Sequence, residues 1–193
     1  MKVVIIDYGV GNIKNIQFAF ERLGITAQLS QDTDLIKQAD RVILPGVGEA
    51  SSAMIKLKET RLDELIPTLK QPVLGICLGM QLMCNYSEEG HTNGLQIFDT
   101  QVKRFTKSVK VPQMGWNTIN NLKTDLFFNV KMPEYMYLVH SYYAENCSQA
   151  IAVTEYDLLY ASALKKDNFY GVQFHPEKSS KAGEQILKNF LNL

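Results

Sequence analysis

The sequence predicts an α/β fold: an open, mostly parallel central sheet flanked by helices, with an antiparallel β extension in its second half. Three observations point there. Residues 1–76 alternate short apolar runs with segments of helical spacing, the pattern of a parallel sheet covered on both faces. Val3-Val4-Ile5-Ile6-Asp7 is a continuous apolar run ending in an acid, as a central parallel strand does. From residue 95 onward, strand-like segments follow one another with no helix between them.

Each element has its own warrant. The first strand runs into Gly9-Val10-Gly11-Asn12, a turn with Asn12 placed to cap a helix. Ile13, Ile16, Phe20 and Leu23 then recur at helical spacing, and Gly24 stops them. Residues 27–29 read as a second strand, 34–39 as a short helix, and 41–44 as a third strand ending at Pro45-Gly46-Val47-Gly48. Helical material continues to about Leu69, and a strand over 71–76 leads into Cys77 and a helix opening at Leu78. In the second half, 95–105, 111–119, 135–143, 149–156 and 159–164 are strand-like. Lys166-Asp167-Asn168 turns a hairpin into 169–174, and Ile186, Leu187, Phe190 and Leu191 share one face of a last helix. No linker, repeat or low-complexity tract divides the halves, so residues 1–193 read as a single domain.

Bulk composition narrows the function classes. Twenty basic residues balance twenty acidic ones, which removes any bulk attraction to nucleic acid or membrane. Three cysteines without a C-x-x-C pair argue against a disulfide framework or a structural zinc site, and Cys84 and Cys147 read as buried structural thiols. No metal or other cofactor is expected. The first seven residues meet an acid after four apolar positions, unlike a signal peptide, so a cytoplasmic location is expected. On that expectation the sequon Asn146-Cys147-Ser148 stays unglycosylated.

The chemistry centres on Gly75-Ile76-Cys77-Leu78-Gly79. A strand, a sharp turn between small residues and a helix opening form a nucleophile elbow, with sulfur in place of a serine oxygen. This geometry predicts an exposed Cys77 at a helix N-terminus, where the thiolate is favoured. A cysteine nucleophile needs a base, and the chain holds three histidines. His91 lies in a polar loop and reads as solvated. His140 interrupts an apolar strand, where a hydrogen-bonded structural role is favoured over catalysis. His175 ends a strand before Pro176-Glu177. Pro176 biases it towards extended backbone, which would put His175 and Glu177 on one side at period two. A carboxylate there holds the tautomer and stabilises the imidazolium. The Leu78 amide and the loop 45–48 are candidates for an oxyanion hole. Neither Gly9-Val10-Gly11 nor Gly46-Val47-Gly48 carries the third glycine of a dinucleotide fingerprint; Lys14 and Ser51 stand there instead.

Gly75-Ile76-Cys77-Leu78-Gly79-Met80-Gln81 together with Gln173-Phe174-His175-Pro176-Glu177 resembles the class I, or triad, glutamine amidotransferases. Leu44-Pro45-Gly46-Val47-Gly48, Val111-Pro112-Gln113-Met114-Gly115-Trp116-Asn117 and His175-Pro176-Glu177-Lys178-Ser179 resemble, within them, the glutaminase subunits of imidazole glycerol phosphate synthases. So does Asp7-Tyr8-Gly9-Val10-Gly11-Asn12, and the likeness spans the chain. It implies that Cys77 attacks the side-chain amide of glutamine, with His175 as base and Glu177 orienting it. It implies an oxyanion hole at Val47 and Leu78, and glutamine contacts at Gly46, Gln81, Glu89, Ser141 and Tyr142. On its own, Gln81 reads as a solvated helix residue.

The resemblance further implies a (β/α)8-barrel cyclase partner that receives the ammonia, with Asn12, Asn15, Trp116, Tyr137 and Lys178 facing it. Trp116 fits a core position equally well. The sequence leaves open an amidotransferase for a surface-sugar aminating synthase, a stand-alone cysteine hydrolase, and a catalytically silent regulatory subunit.

Overall fold

The protein is described from a computed structural model covering residues 1–9, 11–106 and 108–193, so Val10 of the expected Gly9–Asn12 turn lies outside the described residues. The first half is β1 (Val3–Ile6), α1 (Ile13–Arg22), β2 (Ala27–Ser30), α2 (Thr33–Lys37), β3 (Arg41–Leu44), α3 (Ala50–Glu59), α4 (Leu62–Leu65), β4 (Val73–Ile76) and α5 (Leu78–Leu82). There follow β5 (Cys84–Ser87), β6 (Thr92–Asn93), β7 (Phe98–Arg104), β8 (Gln113–Ile119), β9 (Glu134–His140), β10 (Tyr142–Glu145), β11 (Ala150–Tyr156), β12 (Leu158–Lys166), β13 (Phe169–Val172) and α6 (Ser180–Leu191).

The main sheet runs β2-β1-β3-β4-β13-β12-β10-β7-β5-β6, with β11 branching from β12. Its first five strands pair in parallel. Beyond β13, the pairings through β12, β10 and β7 are antiparallel, and β5 rejoins β7 in parallel. This is the expected sheet with its antiparallel extension. Alternation along each strand sorts the core into two layers. Val4, Ile6, Val42, Leu44 and Val73 pack on one face with Ile36 of α2, Leu57 of α3 and Leu62 of α4. Val3, Ile5, Ile43, Leu74 and Ile76 pack on the other with Phe20 of α1 and Ile186, Leu187 and Phe190 of α6.

Three expectations are corrected. The strand expected over 135–143 is two strands in different sheets. The chain breaks at Ser141, so β9 pairs with β8 in a separate ribbon while β10 enters the main sheet. β5 and β6 were not expected: Asn85-Tyr86-Ser87 and Thr92-Asn93 are polar, and pairing of β5 with β7 and β6 rather than an apolar face makes them strands. Cys84 is fully buried, but Cys147, just beyond β10, only half-covers itself against the core.

Candidate active site

The elbow forms as expected, but its glycines serve a different purpose. Cys77 itself takes a positive-φ backbone outside the left-handed helical region, with φ 53° and ψ −111°, which an L-residue holds only under constraint. The constraint is close packing behind it. A Cβ on Gly79 would lie 2.0 Å from the Leu44 carbonyl oxygen, and one on Gly46 would lie 2.6 Å from the Gly79 nitrogen. Bare backbone there lets α5 press against the end of β3, and Gly46 is buried behind the elbow, outside the residues that line the pocket.

Cys77 is only 7% exposed. Its side chain is therefore covered, and its access is a pocket of about 340 Å³ that it lines with Leu78, Gln81 and His175. Cys77 Sγ faces the Val139 carbonyl at 3.9 Å and receives a contact from Gln173 Nε2 at 3.7 Å. α5 is barely more than one turn, so any helix-dipole help to the thiolate is small. The Leu78 amide, first in that helix, has no intrahelical acceptor.

His175 and Glu177 meet, although not through an extended strand. His175 is extended (φ −99°, ψ 95°), but Pro176–Lys178 form a 3-10 turn that folds the carboxylate back. His175 Nδ1 donates to Glu177 Oε1 at 2.8 Å, with the side chains 4% and 1% exposed. His175 Nε2, on the pocket side, has no hydrogen-bond partner among the described residues. Burial pulls the His175 imidazolium down, but Cys77 and Glu177 outweigh it and raise His175 to about 10. The loop is tied to β9: the His175 amide donates to the Tyr137 carbonyl at 2.9 Å. Ser179 Oγ donates to the His175 carbonyl and accepts the Tyr137 amide.

The other two histidines have hydrogen-bond partners of their own. His140 lines the pocket, but its Nδ1 donates to the Tyr142 carbonyl at 2.7 Å and its Nε2 faces the Tyr160 hydroxyl at 3.3 Å. Burial first, then the His175 charge, holds His140 down to about 4 against the Tyr142 bond, so it is neutral at pH 7. His91 is exposed and pairs with the Tyr86 hydroxyl.

Of the expected glutamine contacts, Gln81, Glu89, Ser141 and Tyr142 line the pocket. Gln81 is buried, against its stand-alone reading as solvated, and donates to the Tyr142 carbonyl and to Gln173 Oε1, each at 2.8 Å. Glu89 Oε2 accepts the Ala50 amide at the start of α3; burial raises its pKa despite that bond. Val47 and Gly48 line the rim. The loop behind them is pinned by buried Tyr8, whose hydroxyl donates to the Pro45 carbonyl at 2.7 Å.

Of the expected partner-facing residues, Asn12 and Lys178 border the pocket, and Asn15 is half-buried on α1. Trp116 is 53% exposed, which removes the core reading. It pairs across the ribbon with Tyr137, ring centroids 6.2 Å apart, and the Lys178 ammonium lies 5.7 Å from the Tyr137 ring. Sequence reasoning gave no role to Gln173, Tyr8 or Ser179. A glutamine inside Gly171-Val172-Gln173-Phe174 was the available signal, since a polar group in a buried run needs partners.

A strained, covered thiol facing an imidazole whose far nitrogen is held by a carboxylate can carry out acyl transfer. The sequence matches the family described as Glutamine amidotransferase class-I over residues 4–193, and the chain belongs to that family. Its relatives are more particular. It is 54% identical to the Bacteroides fragilis imidazole glycerol phosphate synthase subunit HisH, across 100% of each chain. It is 44% identical to the Haemophilus influenzae protein of that name, across 99% of this chain and 97% of the other. A putative GMP synthase component from Thermoplasma acidophilum shares the fold at TM-score 0.77 and 19% identity, covering 100% of this chain and 92% of that one.

Proposed function

We propose that this protein is the glutaminase subunit of imidazole glycerol phosphate synthase in histidine biosynthesis, working through a Cys77-His175-Glu177 triad. Glutamine enters the pocket beside Gln81, Glu89, Ser141 and Tyr142. Cys77 Sγ, its proton held on His175 Nε2 as the imidazolium that Glu177 steadies, attacks the side-chain amide carbon. The Leu78 and Val47 amides stabilise the tetrahedral oxyanion. His175 returns the proton to the departing nitrogen, the C–N bond breaks, and ammonia leaves a γ-glutamyl thioester. Water, deprotonated by His175, cleaves the thioester to glutamate and restores the thiol.

The whole chain acts as one cytoplasmic amidotransferase unit. It passes ammonia to a (β/α)8-barrel cyclase, which joins it to a phosphoribosyl-formimino carboxamide nucleotide. The products are imidazole glycerol phosphate and aminoimidazole carboxamide ribotide. Full-length likeness to HisH subunits supports the pathway. The Trp116–Tyr137–Lys178 cluster beside the pocket supports docking there.

The observation that carries the chemistry is the 2.8 Å bond from His175 to Glu177, with His175 Nε2 unpaired on the pocket side. The test is glutamate release from glutamine by the chain alone, with the cyclase, and with cyclase plus acceptor nucleotide, using Cys77→Ala as blank. A low rate that climbs with both additions is expected. Full activity of the chain alone would make it a stand-alone hydrolase, and silence throughout would remove the proposed role.

A further inference from the structure

We infer that Gln173 is a positioning residue: its buried amide locks Gln81 as a hydrogen-bond acceptor for substrate and directs an N–H at the Cys77 sulfur. The inference rests on the proposed glutaminase role and adds a residue to it. Gln173 follows β13, is 0% exposed, and does not line the pocket. Whatever it does there, it does through its neighbours.

The amide orientations follow from one fixed acceptor. The Tyr142 carbonyl can only accept, so the Gln81 group 2.8 Å from it is the –NH2. That same nitrogen lies 2.8 Å from the Gln173 side chain, which must present its oxygen. The Gln173 –NH2 then faces Cys77 Sγ at 3.7 Å. A flipped Gln173 would set two donors against each other and leave its oxygen against the sulfur, so both interactions select one orientation.

Two consequences follow. Both protons of Gln81 Nε2 are committed to protein acceptors, leaving Oε1 as its unspent group. Gln81 can therefore take only a donor from the substrate, such as an ammonium, and is set against a carboxylate in its place. Meanwhile an N–H aimed at sulfur favours the thiolate over the thiol, because the charged form accepts the stronger hydrogen bond. Substrate orientation and nucleophile ionisation are thus set by one side chain that touches neither the glutamine nor the leaving group.

Two variants separate these jobs. Gln173→Met keeps the length but loses both interactions. Gln173→Glu keeps an oxygen for Gln81 and shape for folding, but puts a carboxyl where the N–H was. Cys77 alkylation by iodoacetamide is followed against pH on the full chain, with Cys77→Ala as the background for the other two thiols. The KM for glutamine is measured in the assembled synthase.

The alkylation midpoint is expected to rise by about half to one pH unit in Gln173→Met, on loss of one hydrogen bond to the thiolate, and by more in Gln173→Glu, where a carboxylate faces the sulfur. KM is expected to rise about five-fold in Gln173→Met and to stay within about two-fold of wild type in Gln173→Glu. A lower kcat with an unmoved midpoint in both variants would make Gln173 a packing residue and overturn the inference. An equal KM in Gln173→Met and wild type would overturn the lock on Gln81. Failure of the wild-type synthase to hydrolyse glutamine would instead sink the glutaminase reading, and the alkylation profile would still report on the Gln173–thiol contact.

Discussion

The amide of His175 donates to the carbonyl of Tyr137 at 2.9 Å, so the proposed base hangs from the strand that also presents the exposed aromatic face of the ribbon. Along β9, Tyr137 faces outward beside Trp116, while Met136 and Leu138 are buried. A protein seated on that face would rest one hydrogen bond away from the loop that carries the proposed base. Docking there would bear directly on the backbone that holds the proposed base.

Trp116→Ala should therefore weaken association with the cyclase without unfolding the chain, because the ring is largely exposed. A central interface aromatic contributes about 2 kcal/mol or more, so a loss of tenfold or more in Kd is expected from titration of the two subunits. An unchanged Kd would move the interface off the ribbon.

Cys77→Ala should abolish glutamine-dependent synthesis by the complex while synthesis from added ammonium salts continues. On the proposed role the cyclase step needs only ammonia, and the elbow backbone is held by glycine packing, not by the sulfur. Parallel assays with glutamine and with ammonium check this. Loss of both activities would make Cys77 structural.

His175→Ala removes both the thiol's base and the acid for the leaving nitrogen, and should lower the glutaminase rate by about 10² to 10⁴. Glu177→Gln should cost less, since an amide oxygen can still accept from Nδ1. Equal losses in glutamate release would show that the carboxylate's charge outweighs its orienting bond. A near-normal His175→Ala rate would shift the base role elsewhere in the pocket.

The pH dependence has a definite sign. His175 is raised to about 10 against an unfolded value of about 6.5. Its contribution to stability is therefore fully present below about pH 6.5 and is lost as the pH rises through about 10. Because Cys77 is part of the cause, Cys77→Ala should lower the His175 midpoint in an NMR titration of its ring protons. His140 behaves oppositely: buried and held down to about 4, it contributes above about pH 6.5 and loses this as the pH falls through about 4. Replacing His140 by Gln should flatten the acid limb of a denaturation series. An acid limb as steep as that of wild type would place the acid sensitivity elsewhere.

Legibility in the sequence tracked how local each signal was. The parallel half was readable because β1, β3 and β4 are buried on both faces and carry unbroken apolar runs. The elbow was readable because two glycines flank one cysteine, although their role is close backbone packing and not the turn itself. His175 and Glu177 were paired by period-two reasoning, while the structure pairs them through a 3-10 turn; spacing was enough where conformation was misjudged. The break at Ser141 was not readable, because Tyr137–Tyr143 is apolar enough for one strand and only its two pairing partners separate it. Gln173 escaped because its partners, Gln81 and Cys77, are more than ninety residues away in sequence.

The sharpest stability test lies at Gly79. Its Cα faces the Leu44 carbonyl so closely that a methyl group would sit 2.0 Å from that oxygen, far inside contact distance. The clashing atom is backbone in a central strand, so relief requires α5 to move away from β3. Helix propensity alone would make Gly79→Ala stabilising, by up to about 1 kcal/mol. Overpacking against fixed backbone costs typically about 1 to 3 kcal/mol and should reverse that sign. Gly79→Ala is thus expected to lower Tm and, by shifting the first turn of α5, to depress glutaminase activity further than the stability loss explains. Thermal melts with glutamate-release assays on the same preparations check both effects. An unchanged or raised Tm would mean that the elbow is not held by the approach of α5 to β3.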